Sequence, residues 1–119
     1  KYDEVMVDEY QDSNLVQAMI TNCVSGWADG RKNIFMVGDV KQSIYRFRLA
    51  RPELFMEKYK KYTLTDSEEP RIDLHKHFRS RSQVLSCANF IFRQIMGEDL
   101  GGIAYDEAAA IYPGSFFPE

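Results

Sequence analysis

Short apolar runs alternate with longer apolar stripes at helical spacing along this chain. Glu4 to Val7 is an apolar run that stops at Asp8-Glu9, and its length and β-branched content predict a buried strand. Asp12-Ser13 offers an N-cap for a helix in which Leu15, Val16, Met19, Ile20, Cys23 and Val24 recur on one face. Ser25-Gly26 ends that helix, and Asp29-Gly30 makes a turn. Ile34 to Val37 is a second apolar run, stopping at Gly38-Asp39. Two apolar strands separated by a helix predict a parallel βαβ unit. Ligands of such sheets bind beyond the carboxyl ends of the strands, so Asp8 and Asp39 are expected at one rim.

Further along, residues 42–49 read as a short helix or turn. Pro52 suits the first turn of a helix with Leu54, Phe55, Tyr59 and Tyr62 as its apolar stripe. Thr65 to Pro70 is a polar loop, and Arg71 to Leu74 reads as a third strand. Ser80 and Gln83 have the spacing of a capping box. They would open the clearest helix of the chain, with Val84, Leu85, Ala88, Ile91, Phe92, Ile95 and Met96 in register and Gly97 as its stop. Residues 98–119, with paired glycines, two prolines and an alanine run, are expected to be irregular or loosely docked.

Composition narrows the class. At 119 residues, 45% hydrophobic and 28% charged, the chain is an ordinary globular sequence rather than a disordered one. No apolar run approaches the roughly 20 residues of a membrane span, and no signal peptide pattern is present. Cys23 and Cys87 are the only cysteines; both are expected to be small buried hydrophobes in a reducing, cytoplasmic setting, without the histidines of a zinc site. The absent starter methionine, and a first strand with nothing before it, are expected of an excised piece.

Net charge is −3, so overall attraction to nucleic acid is absent. The charges are nevertheless segregated. Lys41, Arg46, Arg48 and Arg51 fall in a stretch without acids, as do Lys76, Arg79 and Arg81, whereas Asp3, Glu4, Asp8, Glu9 and Asp12 crowd the start. Such runs are either solvated faces or phosphate-binding patches.

Three segments carry candidate chemistry. In Val7-Asp8-Glu9-Tyr10-Gln11-Asp12, a strand end presents Asp8 as a single hard oxygen ligand of the kind Mg²⁺ accepts. Glu9, turned away by strand alternation, is placed to orient or deprotonate a water. In the segment from Val37 to Arg48, Gly38 permits close backbone approach and Gln42 is an uncharged amide able to sense a terminal phosphate. Tyr45 and Phe47, interleaved with Arg46 and Arg48, fit base stacking on a single strand; as core rings with arginines snorkelling past them they fit the pattern equally. In His77-Phe78-Arg79-Ser80, Arg79 is either a finger for a γ-phosphate or a solvated charge, and Phe78 either stacks on a purine or is buried.

In this order the three segments resemble motifs II, III and IV of superfamily 1A DNA helicases, the UvrD, Rep and PcrA group, over residues 2–97. Gly38-Asp39-Val40-Lys41-Gln42 and Tyr45-Arg46-Phe47-Arg48-Leu49-Ala50 look most like the AddA-type component of bacterial helicase/nucleases, and Tyr105-Asp106-Glu107 is weakly similar to it as well. The resemblance implies an α/β fold: a partial RecA-like P-loop NTPase with parallel strands and flanking helices, lacking the Walker A strand-loop. Residues 1–63 would be the C-terminal part of a first RecA-like domain, 64–97 the start of a second, and 98–119 an irregular tail. It implies that Asp8 coordinates Mg²⁺, Glu9 activates the hydrolytic water, and Gln42 contacts the γ-phosphate of ATP. Tyr45, Phe47 and Arg48 would line the DNA track, with Phe78 stacked on adenine and Arg79 acting as the finger.

The same resemblance implies an ATP-dependent DNA helicase acting in double-strand break repair and recombination, with exonuclease activity elsewhere in the protein. Its partners would be single- and double-stranded DNA and an AddB-type nuclease subunit, with no membrane. No Gly-x-x-x-x-Gly-Lys-Ser/Thr occurs in the chain, so these residues alone are expected to hydrolyse no ATP. An open sheet edge where the phosphate-loop strand would lie is expected to favour self-association. The alternatives are a UvrD-type helicase without nuclease, a non-hydrolysing DNA-binding scaffold, and a metal-dependent phosphatase or nuclease built on Asp8, Glu9, Asp12 and Asp39. The last explains the acidic rim but leaves Gln42, Phe78 and Arg79 without a task.

Overall fold

The structure, a computed structural model, describes residues 2–43, 49–65, 67–97 and 104–117. The chain divides into two compact units, residues 1–72 and 73–119.

The first unit is built on strand β1 (Val5–Val7), helix α1 (Leu15–Val24), strand β2 (Ile34–Met36) and helix α2 (Pro52–Lys61). β1 and β2 pair in parallel with Val5 opposite Ile34 and Val7 opposite Met36. The expected βαβ unit is therefore present, with α1 as its crossover. The ladder runs past the strands at their carboxyl ends. The amide of Val37 donates to the carbonyl of Val7, and that of Tyr10 to the carbonyl of Val37, each at 2.9 Å. Asn33 secures the opposite end: its Nδ2 donates to the carbonyls of Tyr2 and Asp3, and its Oδ1 accepts from the Gly26 amide.

α1 starts one residue later than the cap expected at Asp12-Ser13. A 3₁₀ turn over Tyr10–Asp12 takes up those residues, leaving Asn14 as the N-cap. Its side chain accepts from the Gln17 amide while the Gln17 side chain accepts from the Asn14 amide, both at 2.9 Å, a reciprocal capping box. The apolar stripe of α1 is not the core. Leu15, Val16, Met19 and Ile20 are all exposed, as are Met6 and Phe35, which face each other in the ladder. Burial is concentrated between the 3₁₀ turn and α2. Tyr10 and Gln11 are buried there, and the Tyr10 ring meets Phe55 at 6.3 Å between centroids. α2 opens at Pro52, and the Arg51 amide ties its start to the Ser13 carbonyl.

The second unit holds strand β3 (Lys76–His77), helix α3 (Ser82–Ile95) and strand β4 (Tyr112–Pro113), with β3 and β4 parallel. Three expectations are corrected here. The strand expected over Arg71–Leu74 lies at Lys76–His77, because its pairing partner comes from the tail; Ile72 and Leu74 are exposed. The capping box of Ser80 and Gln83 is not formed: the N-cap is Arg81, in extended backbone with no side-chain cap bond. The tail, expected to be irregular or loosely docked, is irregular outside β4 over its described residues, but it is docked on α3. Tyr105 and Ala110 are buried with Leu85 of α3, and Asn89 clamps the tail. Its Nδ2 donates to the Ile111 carbonyl, and its Oδ1 accepts from the Ile111 amide and the Tyr105 hydroxyl. Cys23 and Cys87 are exposed rather than buried, since each lies on the helix face turned from its unit's small core.

Candidate functional site

The rim of the first unit is set by where β1 and β2 stop. β1 ends at Val7 because Glu9, two residues on, has left-handed backbone (φ 49°, ψ 43°). A left-handed turn at a residue with a side chain is uncommon and costs of order 1–3 kcal/mol. It is held here by the Tyr10 amide on Val37. Glu9 therefore leaves the direction of Asp8 by a backbone turn and not, as strand alternation predicts, by its place in a strand. The Glu9 amide donates to Asp8 Oδ1 at 2.9 Å. The Asp8 and Glu9 side chains stay at the surface.

Beyond β2, Asp39 caps a 3₁₀ turn over Val40–Gln42, accepting from the Lys41 amide. Its Oδ1 also takes the Lys41 ammonium at 2.9 Å, and its Oδ2 accepts from Gln42 Nε2 at 3.2 Å. Both acidic strand ends thus lie at the carboxyl rim. Gln11, 1% exposed, joins them. Its Nε2 donates to Glu9 Oε2 at 2.6 Å and its Oε1 accepts from the Asp39 amide at 3.0 Å. Sequence reasoning gave Gln11 no role of its own. Its signal was an uncharged amide two positions after the carboxylate pair, in a stretch otherwise short of apolar side chains.

Asp8, Glu9, Asp12, Gln17 and Thr21 line an open cleft of about 430 Å³ between this rim and α1. Asp12 Oδ1 is buried without a hydrogen-bond partner. Among the described residues no three His, Cys, Asp or Glu side chains converge as a metal cage. An exposed carboxylate beside an unsatisfied carboxylate oxygen fits Mg²⁺, which takes one or two carboxylates and completes its shell with water and phosphate oxygens.

In the second unit, Phe78 and Arg79 follow β3. His77 Nδ1 accepts from the amides of both Arg79 and Ser80, at 3.3 and 3.2 Å, and shapes the turn. Both side chains are exposed, and one edge of the Phe78 ring lies over Gly114: a Cβ there would come within 2.7 Å of it. Tyr45, Phe47 and Arg48, the residues expected along a DNA track, lie outside the described residues.

A family model of the UvrD/REP helicase N-terminal domain matches residues 1–63, the stretch that contains the βαβ unit and both acidic strand ends. The chain belongs to the UvrD/REP helicase family. Over nearly its whole length it is similar to proteins named as the A component of an ATP-dependent helicase/nuclease. It is 55% identical to that of Lachnoclostridium phytofermentans over 98% of the chain, 55% to that of Geobacillus kaustophilus over all of it, and 51% to that of Staphylococcus aureus over 99%. It spans 8 to 10% of the length of these relatives. No helix among the described residues of this UvrD/REP family member is long and apolar enough to cross a membrane.

Proposed function

We propose that this chain is part of the ATP-driven motor of a DNA helicase of the AddA type, the motor component of a helicase/nuclease serving double-strand break repair and recombination. One observation carries the reading: Asp8-Glu9 and Asp39 to Gln42 close two adjacent parallel strands at the same rim and are tied by Gln11. Carboxyl rims of parallel sheets are where such folds bind ligands.

In this reading the segments are motifs II, III and IV of a RecA-like motor. Asp8 would hold Mg²⁺, which when bound would neutralise phosphate charge. Glu9 accepts a proton from the attacking water and orients it. Gln42 donates to the terminal phosphate, Phe78 stacks on adenine, and Arg79 adds positive charge at the γ-phosphate. Tyr45, Phe47 and Arg48 contact single-stranded DNA. Partners are DNA and an AddB-type nuclease subunit. The outer edges of the two-stranded sheet and the exposed α1 face also favour self-association of the 119-residue chain.

Steady-state ATP turnover by the full-length protein tests the reading. Glu9→Gln is expected to lower DNA-stimulated kcat by ~10²–10⁴-fold, the range for loss of a general base. The 119-residue chain on its own, having no phosphate loop in its sequence, is expected to give no turnover above its own Glu9→Gln control. Full-length Glu9→Gln with wild-type turnover would end the motor reading.

A further inference from the structure

Gln11 is a buried amide with both ends occupied, and the two ends reach the two segments of the candidate site. Three contacts run in series. Gln42 Nε2 donates to Asp39 Oδ2 at 3.2 Å, the Asp39 amide donates to Gln11 Oε1 at 3.0 Å, and Gln11 Nε2 donates to Glu9 Oε2 at 2.6 Å. The last is the shortest of the three and charge-assisted, the stronger class of hydrogen bond.

Two further observations show that the surroundings are fitted to this amide. Gly38 has no room for a side chain: a Cβ would lie 2.6 Å from Gln11 Oε1 and 3.3 Å from Phe55 Cε2. Glu9 keeps a left-handed backbone although it is not glycine. The exposed Glu9 carboxylate is thus anchored by a buried donor instead of sampling its rotamers in water.

We propose that Gln11 is a positioning residue: it fixes the Glu9 carboxylate for its task on water and links that carboxylate, through Asp39, to Gln42. The inference rests on the motor reading, and the two fail separately.

The discriminating variant is Gln11→Glu. It keeps an oxygen for the Asp39 amide and replaces the donor to Glu9 with a second carboxylate facing it. In the full-length protein it is expected to lower kcat for ATP at least ~10-fold, in keeping with the cost of a misplaced catalytic group, with KM for ATP changed less than ~3-fold. In a Glu9→Gln background the same substitution is expected to change the residual rate less than ~3-fold. There the donor and acceptor have traded places, so the bond is remade and the thermal midpoint lost in Gln11→Glu returns.

An equal loss of rate in both backgrounds would mean a merely structural role and would overturn the proposal. So would wild-type kcat in Gln11→Glu. If Gln11→Glu does not fold, the exchanged pair decides: a restored fold supports the bond, and an unfolded exchange refutes it. Glu9→Gln alone, retaining full turnover, sinks the motor reading; Glu9→Gln inactive with Gln11→Glu silent sinks only the present one.

Discussion

Single side chains in the first unit show how burial and charge compete. The Lys58 ammonium sits among three rings, 5.3 Å from the centroid of Trp27 and 6.0 Å from those of Tyr10 and Tyr62. Burial, and then the charge of Lys61, hold its pKa below the ordinary 10.5. Burial raises Tyr10 and Tyr62 above 10.0, with Tyr62 and Glu69 respectively adding to the shift. Between the lowered Lys58 value and 10.5, the unfolded chain holds a proton that the folded chain has released. Stability therefore rises with pH across that window. Above pH 10.0 the tyrosines act in the opposite sense, because the unfolded chain ionises them first. Lys58→Met is expected to remove the rising limb and keep the falling one, read from urea midpoints across the alkaline range. A rising limb surviving in the variant would show that another group carries it. None of this was legible in the sequence, where Lys58 is one lysine among several on a polar helix face. Asp8, Glu9 and Gln42, by contrast, were legible as candidates for chemistry because their residue types fall beside strand ends. Gln11 was not, because its contacts to Glu9 and Asp39 are made only across the folded rim.

Elements were read well where the signal is local. β1, α1, β2, α2 and α3 follow apolar periodicity, and each lies where that pattern put it to within a residue or two. Caps were read poorly, because a cap is decided by the backbone angle of one residue. At α1 the 3₁₀ turn consumed the expected cap and passed the role to Asn14; at α3 Ser80 has the right spacing but is engaged in the His77 turn. The two helices therefore respond differently to loss of a polar side chain at their starts. Asn14→Ala is expected to cost ~1 kcal/mol. Ser80→Ala is expected to stay within ~0.5 kcal/mol of wild type, as for an ordinary surface change. Urea denaturation of the two variants side by side checks this; a larger cost for Ser80 would restore the capping box that the backbone denies it. β3 and β4 were missed or misplaced for another reason. Each is two residues long, and their pairing joins positions far apart in sequence, which periodicity cannot see.

On the scale of the whole chain, apolar surface exceeds what either unit covers. Leu15, Val16, Met19 and Ile20 of the α1 stripe, the Met6 and Phe35 pair of the sheet, and Phe90, Ile91 and Ile95 of α3 are all exposed. Patches of this kind on an isolated polypeptide drive association. The 119-residue chain is expected to elute from a sizing column at volumes that shift with loading concentration, and a concentration-independent monomer would refute self-association. The α1 stripe was legible in the sequence as one apolar face, but its exposure was not, because periodicity reports which side is apolar and not what lies against it. The pairing of β3 with β4 bears on synthesis. Among the described residues, every strand and helix of the first unit has been synthesised by Lys61. The second has its helix by Ile95 yet lacks its last strand until Pro113 emerges. Until then α3 lacks its β4 neighbour. That interval of translation is when a chaperone or a neighbouring nascent chain finds this segment open.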